Sequence, residues 1–381
     1  MVPSTPRGSL DSPDVDEVQL TERLIGFDTS ASPGLENALD FVEGCIAGAG
    51  IPVDRRRLRD RECLVARVGS GGPHIIFNGH IDVVPGHPDQ FVPRIDGDRL
   101  IGRGAYDMKG ALAAMILAMG DIERLGLDAT VELMIVPDEE RSDPGPNCTE
   151  MLVDQGLRGD FVICGEPTDL HVGVQAKGVM MMQAVVTGVA AHGSTPWLGH
   201  SAILEGVSLF RAIETLPFAS ESTELFARPS INLGRIRGGD AVNKVPDECV
   251  LDIDIRYLPG QDPDEILDQV RRLGGWDVEV MLERMPAMLD PANSFVAALH
   301  DAACVFEPSA VSVGRDGASD VVQFLAVGVP AVEFGPCGCG HHGPDEYVEI
   351  PSLGHYRGAL VEFARRLGMS GTSVDREVTT A

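Results

Sequence analysis

The sequence predicts an α/β fold with a mostly parallel central sheet flanked by helices, plus a smaller inserted α+β domain. Short apolar runs that fit buried strands alternate with segments of helical periodicity, which is typical of a parallel sheet. At 381 residues, the chain is longer than one hydrophobic core usually grows. Near residue 177, the alternation gives way to strands that follow one another closely. We therefore expect two domains.

The first part of the chain alternates helix and strand patterns. The sequence Gly48-Ala49-Gly50 marks the end of the helix predicted over 34–49, because glycines are common at helix C-termini. A loop rich in Pro, Gly and Asp is expected over 81–101. The predicted helices are 15–27, 34–49 and 108–127, residues 151–156 are the predicted end of another helix, and the predicted strands are 57–68, 74–77, 131–136 and 161–164.

The segment 178–288 predicts a separate α+β domain inserted into the first. Asp262 is suited to cap a helix and Pro263 to occupy its first position. The α/β pattern resumes from Pro291, so residues 1–177 and 289–381 are expected to form one discontinuous domain. Residues 1–13 and the polar C-terminal tail are expected to be loose. The predicted strands of the insert are 179–189, 230–236, 249–257 and 277–282, and its helices are 201–216 and 262–273. After the insert, the predicted helices are 291–304, 319–326 and 352–367, and the strand is 331–334.

Composition and charge exclude several classes of function. The net charge of −28 argues against nucleic acid or an anionic membrane surface as a partner, because both would be repelled. The eight cysteines have no paired C-x-x-C spacing, so we expect reduced thiols rather than a disulfide framework. No apolar run is long enough to span a bilayer, and the N-terminus lacks a secretory apolar region. A cytoplasmic protein is therefore expected.

Candidate metal ligands follow four of the predicted strands. In open α/β sheets, binding sites form at the carboxyl ends of the strands, so residues far apart in sequence can converge there. Histidines and carboxylates without cysteine suit a pair of divalent ions bridged by one carboxylate. The candidates are His80, Asp82, Asp107, Glu139, Glu140, Glu166, His341 and His342.

Each candidate also has an ordinary structural explanation. Asp107 precedes a helix and can simply cap it. Glu139 and Glu140 can form a charged loop tip, and His341 and His342 can be a surface pair in a Gly-rich loop. Because the candidates recur at four strand ends, we favour a metal site for the set as a whole.

The order of several motifs resembles a known family. The chain is similar, over about residues 15–370, to the dinuclear zinc amidohydrolases that include acetylornithine deacetylase, succinyl-diaminopimelate desuccinylase, aminoacylase-1 and glutamate carboxypeptidase. Chance agreement of all the motifs in this order is negligible. The motifs are GHIDVVP, GRGAYDMKGALAA, VPDEE, GEPT, HGSTP, NKVPDECVLDIDIR and HHGPDEYV.

The resemblance implies a pair of divalent ions per subunit and a ligand set for each. His80 and Glu166 would bind one ion, Glu140 and His342 the other, and Asp107 would bridge them. His342 is preferred to His341 because it keeps the family's spacing to the following acidic pair. Zinc is the expected metal, and cobalt and manganese also accept such ligands. A cis peptide bond after Asp107 is also implied.

The resemblance further implies roles for residues around the metals. Asp82 would accept a hydrogen bond from the first histidine ligand, and Glu139 would be the general base. His192, from the inserted domain of the partner subunit in a homodimer, would stabilise the oxyanion. Asn243 and Arg256 would hold the substrate carboxylate, although Arg256 can equally form a structural ion pair with nearby aspartates.

The implied activity is hydrolysis of the amide bond of an N-acyl amino acid or short peptide with a free carboxylate. Glu166, where an aspartate is the alternative, favours the deacylase and carboxypeptidase branch over the aminopeptidase branch. Two other hypotheses stay open. The chain can be a catalytically silent relative that binds a ligand, or a hydrolase whose acyl substrate is attached to a carrier protein. Repulsion between an acidic enzyme and an acidic carrier disfavours the last hypothesis.

Overall fold

The structure is a computed structural model that describes residues 16–141 and 145–369. The predictions for residues 1–13 and for the C-terminal tail lie outside the described residues. The chain divides into two compact units. Of the described residues, the larger takes 16–141, 145–174, 289–312 and 319–369, and the smaller takes 175–288 and 313–318. The smaller unit thus includes 313–318, which the sequence analysis places in the other domain.

Helices and strands alternate through most of the described residues. The helices are α1 Glu17–Ile25, α2 Gly34–Gly48, α3 Gly110–Leu125, α4 Cys148–Asp154, α5 Ala202–Ile213, α6 Pro263–Arg272, α7 Ser294–Ala303, α8 Val321–Leu325 and α9 Ile350–Met369. The strands are β1 Val53–Leu58, β2 Arg61–Gly69, β3 His74–His80, β4 Arg94–Asp96, β5 Arg99–Ile101, β6 Thr130–Val136, β7 Phe161–Cys164, β8 Val172–Ala176, β9 Gly178–Thr187, β10 Ser230–Gly238, β11 Glu248–Tyr257, β12 Trp276–Arg284, β13 Ala287–Met288, β14 Ser312–Arg315, β15 Ala331–Glu333, β16 Gly338–Cys339 and β17 Tyr347–Glu349. Among the described helices, none combines the length and apolar composition that crossing a membrane requires.

The larger unit is organised around a mixed sheet whose centre is parallel. Its strand order is β1-β2-β6-β3-β7-β15-β8. The pairs β6–β3, β3–β7 and β7–β15 are parallel, whereas β1–β2, β2–β6 and β15–β8 are antiparallel. Strands β3, β6 and β7 are buried along nearly their whole length, which explains the apolar runs within them. The predicted α/β fold with a mostly parallel central sheet is confirmed.

The smaller unit contains an antiparallel sheet of order β10-β11-β9-β12. Residues of β11 alternate between buried and partly exposed, as expected for a sheet covered on one face. Helices α5 and α6 pack their apolar sides against the same core cluster as the inward residues of β9 and β11. Strand β10 lies at the edge of this sheet.

A small second sheet of the larger unit was not predicted. Strands β16, β17, β5 and β4 lie in that order, and two of them occupy the segment 81–101 that the sequence analysis treats as a loop. These strands are two or three residues long, too short for a periodic signal. Pairing of β17 with β5 brings the segment before Tyr347 close to the segment after Ile101.

The segment around Asp107 differs from the predicted helix start. The helix expected directly after Asp107 begins only at Gly110, because Ala105–Lys109 form an irregular turn. The Asp107–Met108 peptide bond is cis, as the resemblance implied.

All eight cysteines are free thiols, which confirms the prediction that they form no disulfide framework.

Candidate metal centre

Acidic and imidazole side chains converge at the carboxyl edge of the parallel strands in the larger unit. His80 is the last residue of β3, Glu139 and Glu140 follow β6, and Glu166 follows β7. Asp107 lies in the irregular turn before α3. Parallel strands end at one edge of the sheet, so their sequence-distant extensions meet there. Three groups of these side chains place their ligand atoms within 4.8 Å of one another.

The first group consists of His80, Asp107 and Glu166. The Nε2 atom of His80 lies 3.1 Å from Oδ1 of Asp107 and 3.9 Å from Oε1 of Glu166. The His80 side chain is buried, and both carboxylates are largely shielded from solvent. This arrangement offers one nitrogen and two carboxylate ligands to a single ion.

The second group consists of Asp107, Glu140 and His342. The Nε2 atom of His342 lies 2.9 Å from Oε1 of Glu140 and 3.4 Å from Oδ2 of Asp107. Asp107 therefore directs Oδ1 to the first group and Oδ2 to the second. A further group joins Glu139 and Glu140 with His80, so Glu139 lies beside both. His341 is exposed, and its ring contacts those of Tyr106 and His342 instead.

The electrostatics of these side chains favour a bound cation. Burial raises the pKa of Glu166 and of Glu139 well above the usual range, because charged carboxylates are poorly solvated there. Hydrogen bonds to Asp107 and Glu140 raise the pKa of His342 to about 10. A divalent cation would favour the ionised carboxylates and neutral imidazoles that act as ligands. Nitrogen and oxygen ligands without thiolate suit zinc, cobalt or manganese, so these residues fit a metal centre.

Asp82 makes contacts in addition to the one expected with His80. The Nδ1 atom of His80 lies 3.0 Å from the carbonyl oxygen of Asp82, but 3.6 Å from its carboxylate. The carboxylate instead accepts hydrogen bonds from the backbone N–H groups of Glu139, at 3.3 Å, and Glu140, at 3.0 Å. Asp82 therefore orients His80 mainly through its backbone, while its side chain fixes the loop that carries the two glutamates.

The other predicted site residues belong to the smaller unit. His192 is exposed, and its Nδ1 lies 2.7 Å from Oγ of Ser194. The loops carrying His192 and Asn243 are joined, because Gly193 donates its N–H to the carbonyl of Asn243 at 2.7 Å. The Nε of Arg256 donates to both carboxylate oxygens of Asp254, so the structural ion pair considered for Arg256 is present.

Two residues of the larger unit that the sequence analysis did not single out hold the metal-site loops. Arg103 and Glu346 form a buried ion pair whose nitrogen and oxygen lie 2.8 Å apart. Both residues lie inside motifs that carry the family resemblance. The only sequence signal for Glu346 was the fixed spacing between His342 and the acidic pair that follows it.

Known proteins with similar sequences are amide hydrolases. The sequence profile of peptidase family M20/M25/M40 matches residues 76–366. The chain is 30% identical over 363 residues to a succinyl-diaminopimelate desuccinylase from Rhizorhabdus wittichii, covering 89% of this chain and 94% of that relative. It is 28% identical over 377 residues to an acetylornithine deacetylase from Proteus mirabilis, covering 93% of each chain.

A solved structure shares the fold. The crystal structure of an M20 family metallo-carboxypeptidase from Sulfolobus solfataricus superimposes with a TM-score of 0.76 and 18% sequence identity, over 93% of this chain and 99% of that chain. Together, the profile and the two relatives confirm the resemblance that the motifs indicated.

Proposed function

We propose a function for this chain on the premise that it belongs to peptidase family M20/M25/M40, whose members are metal-dependent hydrolases acting on amide bonds. Its substrate is an N-acyl amino acid or short peptide with a free carboxylate. The two relatives named above remove a succinyl and an acetyl group, which supports a deacylase of this kind.

One observation carries this proposal. Two groups of ligand atoms share Asp107, and each group adds a histidine and a glutamate. A carboxylate that presents one oxygen to each group suits a pair of ions rather than a single one. A buried cluster of carboxylates without such a role would be costly, because their charges repel in a poorly solvated place.

The proposed ligand sets follow these groups. His80 and Glu166 bind one ion, Glu140 and His342 bind the other, and Asp107 binds both. Zinc is the proposed metal, with cobalt or manganese as alternatives. When bound, such ions polarise the scissile carbonyl and stabilise the negative charge that develops on it.

The remaining roles fall to side chains of this chain. Glu139 accepts a proton from the attacking water and delivers it to the leaving nitrogen. His192 of the partner subunit donates a hydrogen bond to the oxyanion. Asn243 and Arg256 hold the substrate carboxylate. The Nε of Arg256 is paired with Asp254, and such a pairing fixes the plane of the guanidinium.

A hydrolysis screen tests the function. We expect the protein to hydrolyse at least one class among N-succinyl, N-acetyl and N-formyl amino acids and dipeptides, measured by release of the free amine. Chelation should abolish this activity, and added zinc or cobalt should restore it, because the ligands are preformed but the ions are not part of the chain. Substrates with an amidated carboxylate serve as the matched control and should react more slowly.

The same screen separates the rival hypotheses. Fewer than one tightly held ion per chain, together with no hydrolysis, would contradict the proposal and favour a silent ligand-binding relative. The metal-loaded protein could also cleave none of the small substrates but release an acyl group from a carrier protein. That result would favour the hypothesis of a carrier-linked substrate.

We also propose that the chain forms a homodimer through its smaller unit. The segment from Trp197 to Val207 exposes large apolar side chains, with Trp197 at 75%, Leu198 at 69% and Leu204 at 72% exposure. Contiguous apolar side chains of this size mark interaction surfaces. Strand β10 lies at the edge of the sheet and offers backbone groups for pairing with another chain.

The dimer proposal predicts that one charge introduced into the exposed apolar segment will dissociate the dimer. Leu204→Asp should convert a dimer of about 80 kDa into a monomer near 40.6 kDa, because a carboxylate is costly to bury in an apolar interface. Light scattering coupled to gel filtration measures the mass. Leu125→Asp, at another exposed leucine, is the control and should stay dimeric. A wild-type monomer, or equal dissociation of both variants, would contradict the proposed surface.

A further inference from the structure

The carboxylate of Glu346 is buried and accepts four hydrogen bonds from one segment. Its side chain is 1% exposed. Oε2 accepts from the guanidinium of Arg103 at 2.8 Å and from the N–H of Gly104 at 3.0 Å. Oε1 accepts from the N–H groups of Tyr106 at 3.1 Å and Asp107 at 3.0 Å. The backbone that carries the shared ligand Asp107 is therefore folded around a single carboxylate.

Arg103 extends the same connection to His342. Its second terminal nitrogen donates to the carbonyl oxygen of His342 at 3.2 Å, while the first binds Glu346. His342 has a φ of +62°, in the left-handed region that side chains other than glycine rarely adopt. Such a conformation persists only where surrounding contacts hold it. The guanidinium therefore fixes the backbone of this ligand.

Neighbouring contacts reinforce the link between the two loops. Gly102 donates its N–H to the carbonyl of Glu346 at 3.0 Å. Gln90 accepts the N–H of Arg103 at 2.8 Å and donates its side-chain amide to the carbonyl of Gly343 at 3.0 Å. Hydrogen bonds thus join the loop 102–107 to the loop 340–346 at several points, although the two loops lie far apart in the sequence.

We propose that Arg103 and Glu346 are positioning residues that set the Asp107 carboxylate and the His342 imidazole relative to each other. The pair thereby determines the affinity of the ion held by Asp107, Glu140 and His342. The other ligand group shares Asp107 but depends on the pair less, because His80 is the last residue of β3 and Glu166 lies two residues after β7. This inference rests on the proposed metal-dependent function. It adds a structural reason why the protein would bind its two ions with different affinities.

Metal titration of Glu346→Gln tests the proposal. A glutamine presents one acceptor oxygen and one donor group, so it cannot satisfy all four N–H donors. We expect metal-free wild-type protein to bind two zinc ions in a calorimetric titration. In the variant, the ion held by Asp107, Glu140 and His342 should bind about 10–100-fold more weakly, and the affinity for the other ion should fall by a smaller factor. Excess zinc should restore most of the lost kcat, with little change in KM.

A second variant keeps the proposal testable if Glu346→Gln folds poorly. Arg103→Lys retains the positive charge next to Glu346, but a lysine cannot reach Glu346 and the His342 carbonyl with a planar fork. This variant should mainly weaken binding of the ion held by Asp107, Glu140 and His342. The matched control is Asp121→Asn, which removes an ion pair with Arg357 between α3 and α9. It should lower the thermal midpoint without changing either metal affinity.

The outcomes distinguish this inference from the function on which it rests. Two ions bound with wild-type affinity by both Glu346→Gln and Arg103→Lys would overturn the positioning role and leave the proposed function intact. An equal loss in Asp121→Asn would overturn it too, since general destabilisation would then explain the effect. Failure of wild-type protein to bind two ions would remove the dinuclear site and this inference with it.

Discussion

Replacing Glu139 by glutamine should remove nearly all turnover while leaving the metal content unchanged. Glutamine has the shape of glutamate but cannot accept the proton of the attacking water, so kcat should fall by about 10²–10⁴-fold. Metal binding should persist because the two ligand groups that share Asp107 do not require Glu139. The groups proposed to hold the substrate carboxylate are unchanged, and KM should therefore change little.

Three measurements on the same samples decide this prediction: kcat, KM and metal per chain. Glu150→Gln, a partly exposed acid in the first turn of α4, is the matched control and should retain wild-type kinetics. Full activity in Glu139→Gln would refute its role as the base. Loss of an ion along with activity would make Glu139 a ligand instead, which its closeness to His80 and Glu140 makes worth measuring.

The convergence of the proposed metal ligands in the larger unit was predictable because of where these residues stand in the sequence. Apolar runs make up most of β3, β6 and β7; His80 is the last residue of β3, and Glu139 and Glu166 lie within three residues of the ends of β6 and β7. Parallel strands share the edge at which they end, so the convergence of His80, Glu140 and Glu166 follows from topology. The bridging role proposed for Asp107 came from the family resemblance, since a lone aspartate before a helix is equally a cap.

The supporting contacts were not predictable in the same way. Glu346 accepts the N–H of Gly104 across 242 positions of sequence, and the strands that bring them together are only three residues long. No periodicity marks such strands. Asp82 was expected to support His80, but the bonds between its carboxylate and the backbone of Glu139 and Glu140 were not anticipated. Backbone donors carry no sequence signal, so only the fold reveals these bonds.

The smaller unit illustrates the difference between a residue's place and its role. The sequence located its strands and helices closely, because β11 alternates regularly and α6 has a clear cap at Asp262. The role of His192 rests on the resemblance alone. Its exposure and its contact with Ser194 are equally those of an ordinary polar loop residue. A test must therefore ask whether His192 acts on the reaction, and from which subunit.

His192→Ala should lower kcat by about 10²–10³-fold, the usual effect of removing an oxyanion donor. Its metal content should not change, because His192 belongs to neither ligand group, and its mass in solution should match that of the wild type. Substrate affinity should change little, since the donor acts mainly on the charge that develops during the reaction. A loss confined to KM would instead make His192 a binding residue.

Mixing two inactive variants determines the subunit from which His192 acts. A dimer of one Glu139→Gln chain and one His192→Ala chain contains one intact site if His192 of the partner subunit serves each centre. After full subunit exchange, about a quarter of wild-type activity should return, because half of the dimers are mixed and half of their sites are complete. If His192 acts within its own chain, both sites of the mixed dimer are defective, and no activity returns. Mixing each variant with itself is the control. Recovery that tracks the fraction of mixed dimers would therefore assign the site to two chains, and its absence would confine the site to one.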